Sequence, residues 1–212
     1  MIEPAYIPRT GDIVCLRYTK PNFVQRTIAS FGSLSTHNEL IVVKRNGIVE
    51  TGYAAPPCFT MLPFEYRKDQ WQRGEITFSV FRYARFNMDV HADGPWYDQA
   101  QRVIRASILT MAKLKIPYDL RDVLAIGRNA IRAHLPWLNP LVPKMEGKIY
   151  CTESLVVAYE MAGIDLLADL PRQRFPAPIH IEKAYYTGGL EIVADFGLKA
   201  DIEGNRPYPS GK

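Results

Sequence analysis

The side chains with nucleophilic or metal-binding chemistry are few: Cys15, Cys58 and Cys151, with His37, His91, His134 and His180. Cys151 stands in KIYCTESLVVAYEMAG, residues 148–163, at the expected first turn of a helix. Backbone N–H groups there lack intrahelical partners and the helix dipole is positive. Both effects favour the thiolate, which is the nucleophilic form. The same cysteine shares a helical stripe with Leu155, Ala158, Tyr159 and Ala162, where a cysteine often only fills space. A thiol nucleophile also needs a base, and the base an orienting group. His37 is the best-placed base, because it stands where a polar loop enters the apolar run LIVV. Two acids compete to orient it. Glu50 lies on the next strand, and Glu39 is two residues from His37 and so on the same strand face. A tight Asn46-Gly47 hairpin pairs Glu50 nearer Val43 than His37, so spacing alone does not choose between them.

The remaining candidates read as structural. Cys15 sits in a strand-like run and Cys58 follows two prolines; neither has a helix start or a base nearby. His91, His134 and His180 lack metal-ligand spacing, so no metal site is expected. No Gly-x-Ser-x-Gly elbow, phosphate loop or dinucleotide fingerprint occurs, and no cofactor is expected. Arg121, Arg128 and Arg132 read as a solvated helix face.

The elements that must position Cys151 and His37 follow from pattern. IVCLRY after Gly11-Asp12, LIVV after His37, Ile48 to Thr51 after Asn46-Gly47, and ITFSVFRYARF (76–86) have strand composition. Residues 21–33 read as a short helix ending near Gly32. Ala100, Val103, Ile104, Ile108 and Met111 fall at helical spacing, so 96–115 reads as an amphipathic helix that Ile116-Pro117-Tyr118-Asp119 stops. A second helix is expected over 120–134, then a proline-broken apolar stretch, LPWLNPLVP, and a third helix from Cys151 to Ala162 with Gly163 as its stop. Short strands are expected near 190–195. With no repeat or clean linker, the simplest reading is one α+β domain over 1–212, with an insertion at about 120–148 and a loop-rich extension from about 164.

Composition bounds the function. The 212 residues are 47% hydrophobic and 23% charged, which is ordinary globular composition. Twenty-six basic against 22 acidic residues leave +4, too small an excess to argue for nucleic acid. Three widely spaced cysteines argue against a disulfide framework. No apolar run is long enough to span a bilayer. The start, MIEPAYIPRTGDIV, lacks a secretory pattern. A cytoplasmic protein as synthesised is expected, with export or incorporation into a particle left open.

Several motifs then fall into a family order. Gly11-Asp12 with its apolar strand, Thr36-His37, Val49-Glu50, Pro117-Tyr118-Asp119 and Tyr150-Cys151-Thr152-Glu153 resemble the YiiX-type branch of the NlpC-like cysteine peptidases, which are circularly permuted papain-like proteins. The resemblance spans roughly residues 11–163. It departs after the histidine: where family members often carry a small or apolar residue and glycine, this chain has Asn38-Glu39.

The resemblance implies an antiparallel sheet or small barrel packed against helices that include the nucleophile helix. It implies a thiol hydrolase cleaving an amide, with Cys151 as nucleophile, His37 as base, Glu50 as orienting acid, and Tyr150 and Glu39 as oxyanion or supporting residues. Peptide bonds of cell-wall peptidoglycan are the implied substrate class. The alternatives are a lipid acyltransferase or thioesterase of the same fold, and a non-catalytic module docking a partner through the C-terminal extension.

Overall fold

In the computed structural model, described over residues 5–29, 32–86, 94–119, 148–170 and 176–204, six antiparallel strands form one sheet in the order β4-β3-β2-β1-β5-β6. They are β1 (Ile13–Tyr18), β2 (His37–Val43), β3 (Val49–Ala55), β4 (Cys58–Pro63), β5 (Ile76–Tyr83) and β6 (Leu190–Phe196). The helices are α1 (Phe23–Ala29), α2 (Phe64–Gln72), α3 (Gly94–Leu114), α4 (Cys151–Met161), α5 (Pro178–Tyr186) and α6 (Lys199–Gly204). This is an α+β architecture. Among the described residues no helix is long and apolar enough to cross a membrane. The expected helix over 120–134 and the LPWLNPLVP stretch lie outside the described residues.

Strand β1 is central, bonded to β2 on one side and β5 on the other. Both of its faces are covered, which explains why IVCLRY is apolar almost throughout instead of alternating. Val14 and Leu16 join Ile41, Phe64, Trp71 and Phe78 on the face under α2. Ile13 and Cys15 join Leu40, Val42, Ile104, Ile108, Leu155 and Tyr159 on the face under α3 and α4. The register Leu16↔His37, Cys15↔Asn38, Val14↔Glu39 therefore sets His37 and Glu39 on the α2 face and Asn38 on the α4 face. A shift of one residue would exchange them.

Close approach and ion pairing complete the frame. A Cβ at Gly52 of β3 would stand 2.5 Å from Ile108 of α3, so only glycine admits the helix there. At the far end of β1, buried Asp12 accepts from Arg82 Nε at 2.7 Å and Nη2 at 2.8 Å, from Tyr6 Oη at 2.5 Å and from the Arg9 N–H at 2.9 Å. Tyr159 of α4 donates to the Gly11 carbonyl at 2.5 Å, tying the Cys151 helix to the Gly-Asp corner.

The hairpin after β2 forms with Gly47 at φ +81°, closed by the Lys44 N–H to the Ile48 carbonyl at 2.8 Å. Its loop is longer than a two-residue turn, and it sets Glu50 opposite Val42. Strand β4 and helix α2 occupy 58–72, a stretch to which the sequence patterns assign no element. Pro63 ends the strand and, at φ −56° and ψ 135°, precedes the helix as its N-cap.

Candidate active site

Helix α4 begins at Cys151, after Tyr150 in extended conformation (φ −118°, ψ 174°). The Tyr150 N–H donates to Glu153 Oε2 at 3.4 Å, so the helix start is braced by its own third residue. The approach to it is held by the Pro-Tyr-Asp element. Ile149 donates to the Pro117 carbonyl at 3.0 Å, and Asp119 donates to the Ile149 carbonyl at 3.1 Å. Tyr118 also donates to the Pro57 carbonyl at 3.1 Å. A three-residue segment thereby links the β3–β4 turn to the nucleophile helix. Tyr118, Tyr150 and Ile28 of α1 pack together at this corner.

His37 is the first residue of β2 and its ring is almost fully enclosed. Among its neighbours the Cys151 thiol does most to raise the imidazole, and the imidazole does most to lower the thiol. His37 Nε2 lies 3.4 Å from Glu39 Oε1. That is an ion-pair distance, longer than a well-formed N–H···O bond, as is common before substrate tightens a site. Tyr53 of β3 meets the imidazole edge-on, with centroids 5.8 Å apart at 82°.

Glu39 is completely buried and does not stand alone. Arg67 of α2 grips it with two bonds, Nε to Oε2 at 3.1 Å and Nη2 to Oε1. Arg67 Nη1 donates to Gln70 Oε1 at 2.5 Å, and its guanidinium lies 5.3 Å from the Tyr53 ring centre. The order across the sheet end is thiol, imidazole, carboxylate, guanidinium.

The protonation states follow from these neighbours. Burial pushes the His37 imidazole down, but its hydrogen bond and charge interaction with Cys151, then those with Glu39, outweigh burial and hold it at about 9 against an ordinary 6.5. Burial pushes the Cys151 thiol up; the His37 hydrogen bond and charge, the Asn38 backbone N–H and the Thr152 hydroxyl outweigh it and hold the thiol below its ordinary 9.0. Burial likewise opposes ionising Glu39, yet the Arg67 charge and the His37 bond bring it to about 2. The three shifts together favour thiolate, imidazolium and carboxylate side by side.

The structure brings Cys151, His37, Glu39 and Tyr150 to one place, and it corrects the expectation for Glu50. Its carboxylate is 2.7 Å from Lys44 Nζ, opposite Val42 in the ladder. Glu39, not Glu50, is the acid against the imidazole. The register is the physical reason: opposite Val42, Glu50 stands five ladder positions along β2 from His37 and on the other face of the sheet.

Cys15 is buried in the core, and Cys58 begins β4. His180 accepts the Ala177 N–H at 2.8 Å at the start of α5, a structural contact. His91 and His134 lie outside the described residues. Sequence reasoning missed Arg67, and its signal was available: Phe64, Arg67 and Trp71 recur at helical spacing behind Pro63. No family model matches this chain, and no curated protein matches it.

Proposed function

We propose that this protein is a thiol hydrolase of circularly permuted papain-like type, with Cys151 as nucleophile, His37 as general base and then acid, and Glu39 as the orienting carboxylate. The observation that carries the reading is His37 at ion-pair distance from the buried Glu39 carboxylate and interacting with the Cys151 thiol, which is held below its ordinary range while the imidazole is held above its own. The chain order, histidine strand before cysteine helix, fits the permuted arrangement and reverses the papain one.

The chemistry runs through these atoms. His37 takes the thiol proton, and Cys151 Sγ attacks the carbonyl carbon of an amide. The carbonyl π electrons move to oxygen, where the Cys151 N–H at the positive end of α4 stabilises the charge. The carbonyl re-forms as the C–N bond breaks, and imidazolium gives its proton to the departing amine. Water, deprotonated by His37, attacks the thioester and releases the acid and free thiol. Glu39, fixed as carboxylate by Arg67, stabilises imidazolium in both halves. The substrate class proposed is a peptide amide such as those of cell-wall peptidoglycan, on the strength of the family resemblance.

The apolar corner of Ile28, Tyr118 and Tyr150 beside the thiol favours a second reading, transfer or hydrolysis of an acyl chain by the same residues. Incubation with purified peptidoglycan, and separately with acyl-thioester vesicles, followed by intact-mass measurement, tests both. A Cys151-linked acyl adduct from peptidoglycan supports the amidase, and one from the vesicles alone supports the acyl reading. No adduct from either, with an active-site electrophile failing to label Cys151, rules out both.

A further inference from the structure

Away from the thiol–imidazole–carboxylate alignment, a second buried carboxylate is devoted to one short loop. Glu182 lies on α5, in the part of the chain that the family resemblance does not cover, and is 2% exposed. Its Oε1 accepts from Ser33 Oγ at 2.8 Å, the Ser35 N–H at 2.8 Å and Ser35 Oγ at 2.7 Å; Oε2 accepts from the Leu34 N–H at 3.2 Å. All four donors belong to three consecutive residues, and the run ends two residues before His37.

The loop is otherwise a poor place to fix a base. Ser33 and Ser35 are buried outside any strand, where unpaired backbone N–H groups and hydroxyls are costly. A single carboxylate satisfies them together, through charge-assisted bonds that are stronger than neutral ones. Beyond the loop, the Thr36 N–H donates to the Leu16 carbonyl at 2.8 Å, and His37 then opens the ladder opposite Leu16. The backbone of His37 is therefore held by the sheet on one side only. Upstream of the Thr36 bond the chain is a loop that Glu182 and the contact of Ser33 Oγ with the Ser35 carbonyl at 2.7 Å hold together.

We infer that Glu182 is a positioning residue for His37: by fixing residues 33–35 it sets where the imidazole meets the Cys151 thiol. The inference rests on the proposed thiol chemistry. It gives the C-terminal segment a part in that chemistry, since α5 contributes Glu182 from 145 residues beyond His37 in the chain. A merely structural Glu182 would change the unfolding temperature and leave the protonation of Cys151 as it was.

The test is the rate at which iodoacetamide alkylates Cys151, with the site identified by mass spectrometry, as a function of pH. It is made on the full chain at a temperature where each variant is folded by circular dichroism. Wild type is expected to alkylate rapidly below the ordinary thiol range. Glu182→Ala is expected to lose about tenfold or more of that low-pH rate, as misplacing a catalytic group by a fraction of an ångström or more does. Glu182→Gln keeps an acceptor toward the two serines and is expected to retain most of it. If Glu182→Ala does not fold, the Ser33→Ala/Ser35→Ala double variant removes two of the bonds and is expected to lose several-fold of the rate. An unchanged low-pH rate in a folded Glu182→Ala, or in the double variant, overturns the inference and leaves the thiol reading standing. A wild type with no low-pH alkylation overturns the thiol reading, and this inference with it.

Discussion

The sheet holds two buried carboxylate–arginine pairs, and they do different work. Asp12 and Arg82 meet at one end of β1, and Glu39 and Arg67 meet beneath the start of β2. Each carboxylate takes two bonds from its guanidinium. The remaining bonds of Asp12 come from the Tyr6 hydroxyl and the Arg9 backbone N–H, donors that hold their protons in the neutral pH range. The further neighbour of Glu39 is an imidazole that interacts in turn with a thiol. A buried ion pair by itself contributes geometry and little net stability. What turns the second pair into a candidate site is that its third partner can gain and lose a proton.

Breaking the first pair is expected to have the largest effect on stability. Arg82→Met leaves Asp12 buried without its counter-charge, and a loss of about 3–5 kcal/mol is expected, read by urea denaturation. The folded fraction should keep its rate of substrate turnover. A turnover rate that falls in step with the Arg82 change would erase the distinction between the two pairs.

Glu39→Gln breaks the second pair and should act on both scales. It removes the charge that supports imidazolium, so turnover is expected to fall by about 10²-fold, the lower end of what acid–base catalysis supplies. The alkaline limb of the kcat/KM profile should move to lower pH, because one of the forces raising His37 is gone. Steady-state kinetics across pH checks this, and a limb that stays in place would show that Glu39 does not act through His37.

In the wild type the same profile should be bell-shaped. Its acid limb lies below the ordinary thiol range and its alkaline limb is near about 9, where His37 loses its proton. Stability follows the same groups. The raised His37 contributes fully below its unfolded 6.5, and that contribution is lost as pH rises through about 9. The depressed Cys151 contributes above its unfolded 9.0, and that contribution is lost as pH falls through its lowered value. Thermal melts of wild type against Cys151→Ala across pH read both limbs.

The smallest effect is expected at Glu50. Its partner Lys44 is about one-third exposed, and pairs of that kind contribute roughly 0–1 kcal/mol. Glu50→Ala should leave turnover and its pH profile unchanged; a large loss of turnover would restore Glu50 as the orienting acid.

Much of this arrangement was legible in the residues, for physical reasons that also explain the gaps. Strands β1 and β5, helix α3 and the Cys151 helix announce themselves through apolar periodicity, and the structure places them within a few residues of the expected ends. His37 was readable because a lone histidine opening an apolar strand is unusual. Glu39 could be reached by the two-residue period of a strand; Glu50 was favoured only by the family resemblance, although a hairpin at Asn46-Gly47 already set it at the far end of β2 from His37. Arg67 was hidden because Pro56, Pro57 and Pro63 read as breaks, although Pro63 stands where a strand hands over to a helix. Glu182 was hidden because α5 is short and lies in a stretch rich in proline and glycine. Pro178, at a position where proline starts helices well, was its only clear local sign.

The central claim is that Cys151 carries a thiolate because His37 holds its proton. The most direct measurement is the ultraviolet thiolate absorbance of wild type minus that of Cys151→Ala, followed across pH, with the same difference taken in a His37→Ala background. The account predicts a Cys151 thiolate signal in wild type that persists well below the ordinary 9.0 of a thiol and retreats toward that value when His37 is removed. A wild-type signal that appears only in the ordinary thiol range, or one that His37→Ala leaves unmoved, would contradict it.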